Sequence, residues 1–374
     1  MSLEIAKPTI LLNVDQAKRN IQRMAEKAQR QGIRFRPHFK THQSAAIGEW
    51  FRQAGVTAIT VSSLEMAQYF ARHGWDDITI AFPANLRQVG VFNKLARSIH
   101  LGLLVESIET ADYLANQLTA PVDMWVEIDD GTNRSGVRWD RPESILQLIT
   151  VLQSHSHFRI RGLLTHAGRI YRAGSPAEIK RIYHETVQRM NIVRQFLTGQ
   201  GFTLEISVGD TPGCTLCADL GPVDEIRPGN FVFYDAMQLA MGVCKPKDIA
   251  AIVACPVVAK YPEREEVVIY GGAVHFSKDT VKINEQNVFG LVASVKRDDR
   301  SQPGHLWMSV VKGGFVTRLS QEHGVVALPR HVLNHVKVGD LLYVIPAHVC
   351  LTVSAMGEYC TMGGEIINTM NKEL

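Results

Sequence analysis

The sequence predicts a (β/α)8 barrel followed by an antiparallel β-domain. With 374 residues, the chain is longer than a typical barrel of about 250 residues and leaves room for an appended domain. In its first two thirds, short β-rich runs alternate with amphipathic helical segments, the pattern of repeated βα units. After about Cys244, short β-branched runs are separated by turn residues, which is typical of an antiparallel sheet. A doubly wound sheet would give fewer strands and usually an early glycine-rich turn, which this sequence lacks.

Eight β-rich runs are the predicted barrel strands, at residues 35–40, 58–63, 78–82, 101–107, 124–129, 160–167, 204–209 and 226–233. The amphipathic helical segments between them span residues 43–54, 64–73, 88–96, 109–117, 141–152 and 176–197. The predicted β-domain strands span residues 250–260, 266–270, 288–296, 305–311, 341–345 and 350–353, and the early run 9–12 is expected to join them. We therefore assign residues 14–243 to the barrel, and residues 1–13 with 244–374 to the β-domain.

Composition argues against several classes of function. The net charge of +3 is small and the basic residues are dispersed, so neither nucleic acid nor an anionic membrane is indicated as a partner. The longest apolar stretch, residues 341–353, is interrupted by Pro346 and His348 and is too short to span a bilayer. Glu4 and Lys7 interrupt the only N-terminal apolar run, and six cysteines do not make a disulfide framework in a chain of this size. We expect a cytoplasmic protein.

Reactive and polar residues follow the predicted barrel strands. Lys40 ends the first run, Arg134 follows the fifth, and His166 ends the sixth. A glycine-rich segment, residues 209–213, follows the seventh run, and residues 227–230 lie within the eighth. Active sites of such barrels lie at the C-terminal ends of the strands, so these groups are expected to meet at one mouth.

This mouth has the groups that pyridoxal 5'-phosphate (PLP) requires. A lysine can form an imine, an imidazole can stack on a ring, and arginines can tune its charge. Backbone N–H groups of glycine-rich turns, with the hydroxyl of Thr211, can hold a phosphate.

A histidine and a cysteine, His348 and Cys350, indicate a metal site near the C-terminus. On an extended segment, residues two apart point to the same side. Imidazole with thiolate is a borderline-soft pair that favours Zn²⁺ over Mn²⁺ or Mg²⁺. Water and substrate oxygen would have to complete the shell. The other closely spaced pair, Cys214 and Cys217, lacks a second such pair and is interpreted as packing.

Five motifs together resemble the fold-type III PLP enzymes with an alanine racemase-like N-terminal barrel, and within them the D-serine dehydratase and D-threonine aldolase family. The resemblance covers essentially the whole chain, and its motifs are Pro-His-Phe-Lys-Thr-His at residues 37–42, Thr-His-Ala-Gly at 165–168, Arg-Pro-Gly-Asn-Phe-Val-Phe-Tyr-Asp at 227–235, Gln-Glu-His-Gly at 321–324, and Pro-Ala-His-Val-Cys at 346–350.

The resemblance implies a role for each matching residue. Lys40 would form the Schiff base with PLP, His166 would stack on its ring, and Arg134 would approach its phenolic oxygen. Tyr171 would lie near the cofactor, and Arg227 matches the racemase position that faces the pyridine nitrogen, a role left open here. The remaining implied contacts are the phosphate site at Thr211, Gly229 and Asn230, and the metal ligands His348 and Cys350. His323 has no assigned role.

The resemblance further implies a PLP- and zinc-dependent lyase, D-serine dehydratase-like, that eliminates water and then ammonia from a β-hydroxy D-amino acid. Its His-x-Cys pattern is of the dehydratase type, whereas aldolase members carry His-x-Asp. Three alternatives remain open: D-threonine aldolase-type cleavage, a D-3-hydroxyaspartate dehydratase, and a non-catalytic PLP-binding protein. Family members usually form dimers, so a homodimer is expected.

Overall fold

The computed structural model describes residues 4–297 and 306–373. The chain divides into two compact units. The barrel unit comprises Arg23–Lys40 and Phe51–Gly229. The β-unit comprises Met1–Gln22, Thr41–Trp50 and Asn230–Leu374. The domain boundaries at residues 13 and 244 stay a prediction.

The strands are β1 Thr9–Leu12, β2 Arg34–Phe35, β3 Ile59–Val61, β4 Asp77–Pro83, β5 His100–Val105, β6 Val122–Asp129, β7 Val137–Arg138, β8 Phe158–His166, β9 Glu205–Gly209, β10 Glu225–Ile226, β11 Ala251–Tyr261, β12 Glu266–Tyr270, β13 Val281–Ile283, β14 Gln286–Val288, β15 Gly290–Arg297, β16 Leu306–Leu319, β17 His323–Ala327, β18 Leu341–Pro346, β19 Glu358–Thr361 and β20 Ile366–Asn368. The helices are α1 Val14–Arg30, α2 Ala45–Gln53, α3 Leu64–Arg72, α4 Val89–Ala96, α5 Ile108–Gln117, α6 Pro142–Gln153, α7 Pro176–Gly199, α8 Thr211–Leu216, α9 Ala236–Ala240, α10 Ala273–Phe276, α11 Arg330–Leu333, α12 Val349–Met356 and α13 Met370–Glu373.

The barrel unit is built on parallel strands in the order β2-β10-β9-β8-β6-β5-β4-β3. A parallel bridge between His38 and Thr60 joins the chain after β2 to β3. Its two hydrogen bonds, from Phe39 N to Thr60 O and from Thr60 N to Pro37 O, are both 2.9 Å long. The ring of strands is therefore closed, and the predicted (β/α)8 barrel is confirmed.

Serine side chains begin several barrel helices soon after a strand ends. The hydroxyls of Ser63, Ser107 and Ser175 accept backbone N–H bonds at the starts of α3, α5 and α7. Such caps satisfy N–H groups that have no partner within the helix, and they fix where each βα turn ends.

The first and last barrel strands are much shorter than predicted. β2 and β10 each contain two residues, against predicted runs of 35–40 and 226–233. Pro37 and Pro228 follow them closely and cannot donate to a ladder. Residues 230–232 form a turn of 3-10 helix instead of a strand. Lys40 consequently lies in a turn beyond the barrel strand.

The β-unit contains a sheet in the order β12-β17-β16-β15-β18-β11-β1-β19-β20, with a further pairing of β12 to β11. That pairing closes six of the strands into a second, smaller barrel. β1 pairs antiparallel with β11, so the run 9–12 lies in this sheet.

Five of the six predicted strands of the β-domain are present, although residue 305 lies outside the described residues. The sixth, at residues 350–353, is wrong. This run lies inside helix α12. Short apolar runs fit a strand or a buried helix equally well, and periodicity alone does not separate them.

Candidate active site

The barrel unit brings Lys40, Arg134, His166 and Arg227 into one electrostatic cluster. Lys40, Arg134 and Arg227 each lower the pKa of His166, and the same three cations act on His38. They follow strands β2, β6 and β10, while His166 ends β8. The residues predicted for the barrel mouth are therefore close enough to perturb one another.

His166 is a neutral imidazole with a fixed orientation. Its Nδ1–H donates to the carbonyl of Gly209 over 2.6 Å. Burial, then Lys40 and Arg134, lower the pKa of His166 to about 3. Tyr171 lies beside it with ring centroids 5.8 Å apart and planes inclined by 30°. A neutral, oriented ring is suited to contact a flat ligand through its face.

His38 is a member of this cluster to which sequence reasoning gave no role. Its ring Nδ1 accepts the backbone N–H of Lys40 at 3.3 Å. The backbone N–H of His38 donates to the carbonyl oxygen of Pro228 at 2.9 Å. Burial and then Lys40 hold the pKa of His38 well below its usual value. His38 therefore sets the backbone conformation that leads into Lys40.

Arg227 is a buried cation bonded to neutral groups. It donates to Ser207 Oγ at 2.7 Å and to the carbonyl of Thr165 at 2.5 Å. Burial lowers the pKa of Arg227 to about 10. A Cβ at Gly209 would lie 3.0 Å from Arg227 Nη1, so a side chain there would require the guanidinium to shift.

Arg134 is more than half exposed and lies near the acidic residue Glu127. Its Nη2 lies 3.9 Å from Glu127 Oε1, and that oxygen also accepts the hydroxyl of Ser135 at 2.8 Å. Burial raises the pKa of Glu127. The guanidinium can therefore reach an anionic ligand without breaking a tight ion pair.

The segment 209–213 differs from a simple anion cradle. Asp210 is the N-cap of helix α8, and its Oδ1 accepts the N–H of Gly213. Burial raises the pKa of Asp210 to about 7. A Cβ at Gly213 would lie 2.3 Å from the Tyr183 ring, so this glycine permits close packing. Thr211 is buried at the first position of α8.

The chemistry of this unit fits PLP. The cluster combines three basic side chains with two imidazoles whose pKa values are depressed, and Arg227 is bonded to neutral groups. A phosphorylated ligand with an aldehyde would supply negative charge to the arginines and an imine partner to Lys40.

The β-unit holds His348 and Cys350 around the start of α12. His348 is the N-cap, in extended conformation, and Cys350 is the second residue of the helix. The alternation of side chains along a strand was therefore the wrong reason for placing them together. They interact nevertheless: burial alone would lower the pKa of His348, but Cys350, followed by Asp235, raises it well above its usual value.

The sulfur of Cys350 has polar neighbours within the same unit. Thr41, the residue after Lys40 in the sequence, places Oγ1 3.3 Å from Sγ. Asn230 places Nδ2 4.0 Å from Sγ, and this nitrogen also donates to Asp235 over 2.6 Å. The side chain of Asn230 thus contacts the histidine–cysteine region, whereas the prediction for the phosphate concerned the backbone at this residue.

The donor set of this pair fits zinc. An imidazole nitrogen and a thiol lie together, and a carboxylate holds the other imidazole nitrogen, as is usual around metal-bound histidines. Among the described residues, no group of three or more histidine, cysteine or acidic side chains could hold a metal ion. The pair would therefore form an open site, completed by water or substrate.

Two family models match the chain. The alanine racemase N-terminal domain matches residues 12–236, more than half of the chain, and a putative serine dehydratase domain matches residues 250–362. The chain belongs to the alanine racemase N-terminal domain family.

Curated relatives match this chain along nearly its whole length. It is 28% identical to D-threo-3-hydroxyaspartate dehydratase of Delftia sp. (strain HT23), covering 97% of this chain and 96% of that one. It is 26% identical to D-serine dehydratase of Dictyostelium discoideum, covering 97% and 95%. A solved cysteine-to-alanine variant of a D-threo-3-hydroxyaspartate dehydratase, in the metal-free form, has a TM-score of 0.87 at 26% identity and 98% coverage of both chains. The family predicted from the motifs is confirmed.

The other residues considered in the sequence analysis, Cys214, Cys217 and His323, also have defined positions. Cys214 and Cys217 are buried, and burial raises the pKa of both thiols, to about 11 for Cys217. His323 begins β17 and is exposed. Of the described residues, no helix is long and apolar enough to span a membrane.

Proposed function

We propose that this protein is a PLP- and zinc-dependent lyase that removes water, and then ammonia, from a β-hydroxy D-amino acid. The observation that carries the proposal is the pairing of His348 with Cys350 in a chain whose barrel unit gathers Lys40, Arg134 and Arg227 around His166. A PLP-binding protein without catalysis would not need a second site of soft ligands.

In the barrel unit, Lys40 would bind PLP covalently. Arg134 would approach the phenolic oxygen, and His166, with Tyr171 beside it, would contact the ring face. The phosphate would be held by Thr211 and the backbone around Gly229 and Asn230. Bound PLP supplies a conjugated ring that takes up the electrons released at Cα.

Lys40 would also move the α-proton. A neutral amine released from its imine is a competent base, and Nζ would receive this proton. His166 and His38 are poor candidates for that step, because their depressed pKa values leave both imidazoles weakly basic.

His348 and Cys350 would hold the zinc ion. Bound zinc supplies a Lewis acid that stabilises the departing hydroxide. In support, the solved cysteine-to-alanine variant cited above is described as metal-free.

We favour two substrates, D-serine and D-threo-3-hydroxyaspartate. Each occurs in the name of a dehydratase that matches nearly the whole chain. D-Threonine aldolase-type cleavage is the rival chemistry. It would use the same metal to acidify the β-hydroxyl while the Cα–Cβ bond breaks.

Product analysis with zinc and PLP present tests the proposal. Pyruvate and ammonia from D-serine, or oxaloacetate and ammonia from D-threo-3-hydroxyaspartate, are expected, with L-serine as the unreactive control. Glycine and acetaldehyde from D-threonine, without ammonia, would assign the aldolase reaction instead. Turnover of none of these substrates by the PLP-loaded protein would favour a non-catalytic role.

A cytoplasmic homodimer is part of the same proposal. Light scattering after size-exclusion chromatography would measure twice the 41.6 kDa mass of one chain. A monomer with full activity would contradict the dimer.

A further inference from the structure

One buried carboxylate, Asp235, accepts hydrogen bonds from four directions. Its Oδ2 accepts from His348 Nδ1 at 3.1 Å, from Val349 N at 3.1 Å, and from Asn230 Nδ2 at 2.6 Å. Its Oδ1 accepts from Gln238 N at 3.0 Å. The side chain is completely buried. A buried carboxylate that accepts hydrogen bonds at both of its oxygens is held in a single orientation.

We propose that Asp235 is the positioning residue of the metal pair, and that it makes Nε2 of His348 the metal-binding nitrogen. The inference rests on the proposed function, since it assigns a role toward the metal. Because Asp235 occupies Nδ1, the imidazole has Nε2 left for a ligand. A carboxylate on the far nitrogen also fixes the ring and makes it a stronger donor to a metal.

The same carboxylate fixes the helix that carries the second ligand. Val349 is the first residue of α12, and the N-cap residue His348 makes no side-chain cap bond of its own. Asp235 supplies that cap from another segment, while its Oδ1 caps its own helix, α9. The orientation of His348 and the start of the Cys350 helix therefore depend on one side chain.

The backbone before Asp235 is also constrained. Tyr234 is buried and has a φ of 52°, a left-handed conformation that a bulky residue rarely adopts. Such conformations persist where the surrounding structure enforces them, often beside functional groups.

The Asp235→Asn variant isolates the charge and the acceptor pattern. Asparagine has nearly the same shape and is a good helix cap. Its amide nitrogen must nevertheless face either Gln238 N or the three donors at Oδ2, so one acceptor is lost in either orientation. Asp248→Asn is the matched control: Asp248 is a buried carboxylate of the same unit whose Oδ2 accepts Lys245 N at 2.8 Å.

Zinc affinity, measured by competition with a chromophoric chelator, is the main readout. Asp235→Asn should weaken zinc binding by about 10- to 100-fold, the usual cost of losing such a partner. Its far-ultraviolet circular dichroism and PLP absorbance should be unchanged, and Asp248→Asn should bind zinc like the wild type. Unchanged zinc affinity in Asp235→Asn, with tight binding by the wild type, overturns the positioning role alone. If the wild-type protein cannot take zinc from the chelator, the metal part of the proposed function fails as well.

A second measurement decides the case if Asp235→Asn does not fold. In a crystal structure of the zinc-loaded wild type, the ion should lie on Nε2 of His348, with Nδ1 still bonded to Asp235. Zinc on Nδ1 would overturn the inference.

Discussion

Replacing Glu225 by glutamine should destabilise the barrel by about 3 kcal/mol. Glu225 is fully buried at the start of β10, and its Oε2 accepts from Arg34 Nε at 2.6 Å and from Arg36 Nε at 2.7 Å. Ser207 donates to Oε1 at 2.7 Å. The cluster connects β10 to the chain at β2, and both of these strands contain only two residues. Few backbone hydrogen bonds hold this seam, so its side-chain contacts matter.

The size of the effect follows from the pKa. Burial alone would raise the pKa of Glu225, but Arg36 and Arg34 outweigh burial and lower it from 4.5 to about 2. A difference of this size corresponds to about 3 kcal/mol at neutral pH. Removing one partner from a buried ion pair costs a similar amount, about 3–5 kcal/mol, because the other charge stays buried.

The pH dependence has a definite sign. Since the folded protein has the lower pKa, this stabilisation is complete above about pH 4.5 and is lost as the pH falls toward 2. Urea unfolding followed by circular dichroism, at neutral pH and in acid, measures it. The Glu225→Gln variant should lose stability at neutral pH and differ less from the wild type in acid.

The matched control is Asp140→Asn, which removes a carboxylate from an exposed ion pair with Arg138. Solvent screens such pairs, so this change should leave the unfolding midpoint nearly unaltered. If Glu225→Gln were no less stable than Asp140→Asn, the reasoning from burial and pKa would be refuted.

Four further changes test the site and its surroundings. Lys40→Ala should abolish the visible absorbance of bound PLP, and absorbance that persists after dialysis would contradict its covalent role. Cys350→Ala should reduce elimination by at least about 100-fold while the absorbance remains, whereas Cys360→Ala, a buried thiol of the same unit, should have little effect. In thermal melts Asp210→Asn should gain stability relative to the wild type as the pH rises from about 4 to 7, and keep that advantage above pH 7, because the unfolded wild-type chain ionises this carboxyl while burial keeps it protonated in the folded state. His166→Phe should weaken PLP binding without altering the shape of the pH–rate profile between pH 5 and 9, since a pKa of about 3 lies outside that range.

The barrel could be predicted from sequence because its signal is repetitive. Six of the eight β-rich runs are followed by a predicted amphipathic segment, so an error in one boundary does not change the architecture. The runs at 35–40 and 226–233 were overextended because proline and the 3-10 turn end the ladder early. Apolar composition alone does not reveal where hydrogen bonding stops.

The site was predicted less completely, for a physical reason. Lys40 and His166 could be proposed from sequence because each ends a β-rich run, and active sites of such barrels lie at that end of the strands. Asp235 is the last residue of the motif at 227–235, but we gave it no role from sequence because its partner His348 is 113 residues away. Spacing along the chain carries no information about such a contact. The prediction that His348 and Cys350 act together relied on a strand, whereas a helix N-terminus brings them together.

The two units give their histidines opposite properties, and this contrast supports a division of labour. In the barrel unit, burial among Lys40, Arg134 and Arg227 depresses the pKa of His166, so the imidazole is neutral at neutral pH and its Nδ1–H is held by the carbonyl of Gly209. In the β-unit, Cys350 and Asp235 outweigh burial and raise the pKa of His348. An imidazole that holds a proton this firmly beside a thiol is a strong electron-pair donor once a metal displaces the proton. In the proposed reaction His166 stays neutral and His348 would hold the metal, so we assign acceptance of the proton from Cα to Lys40.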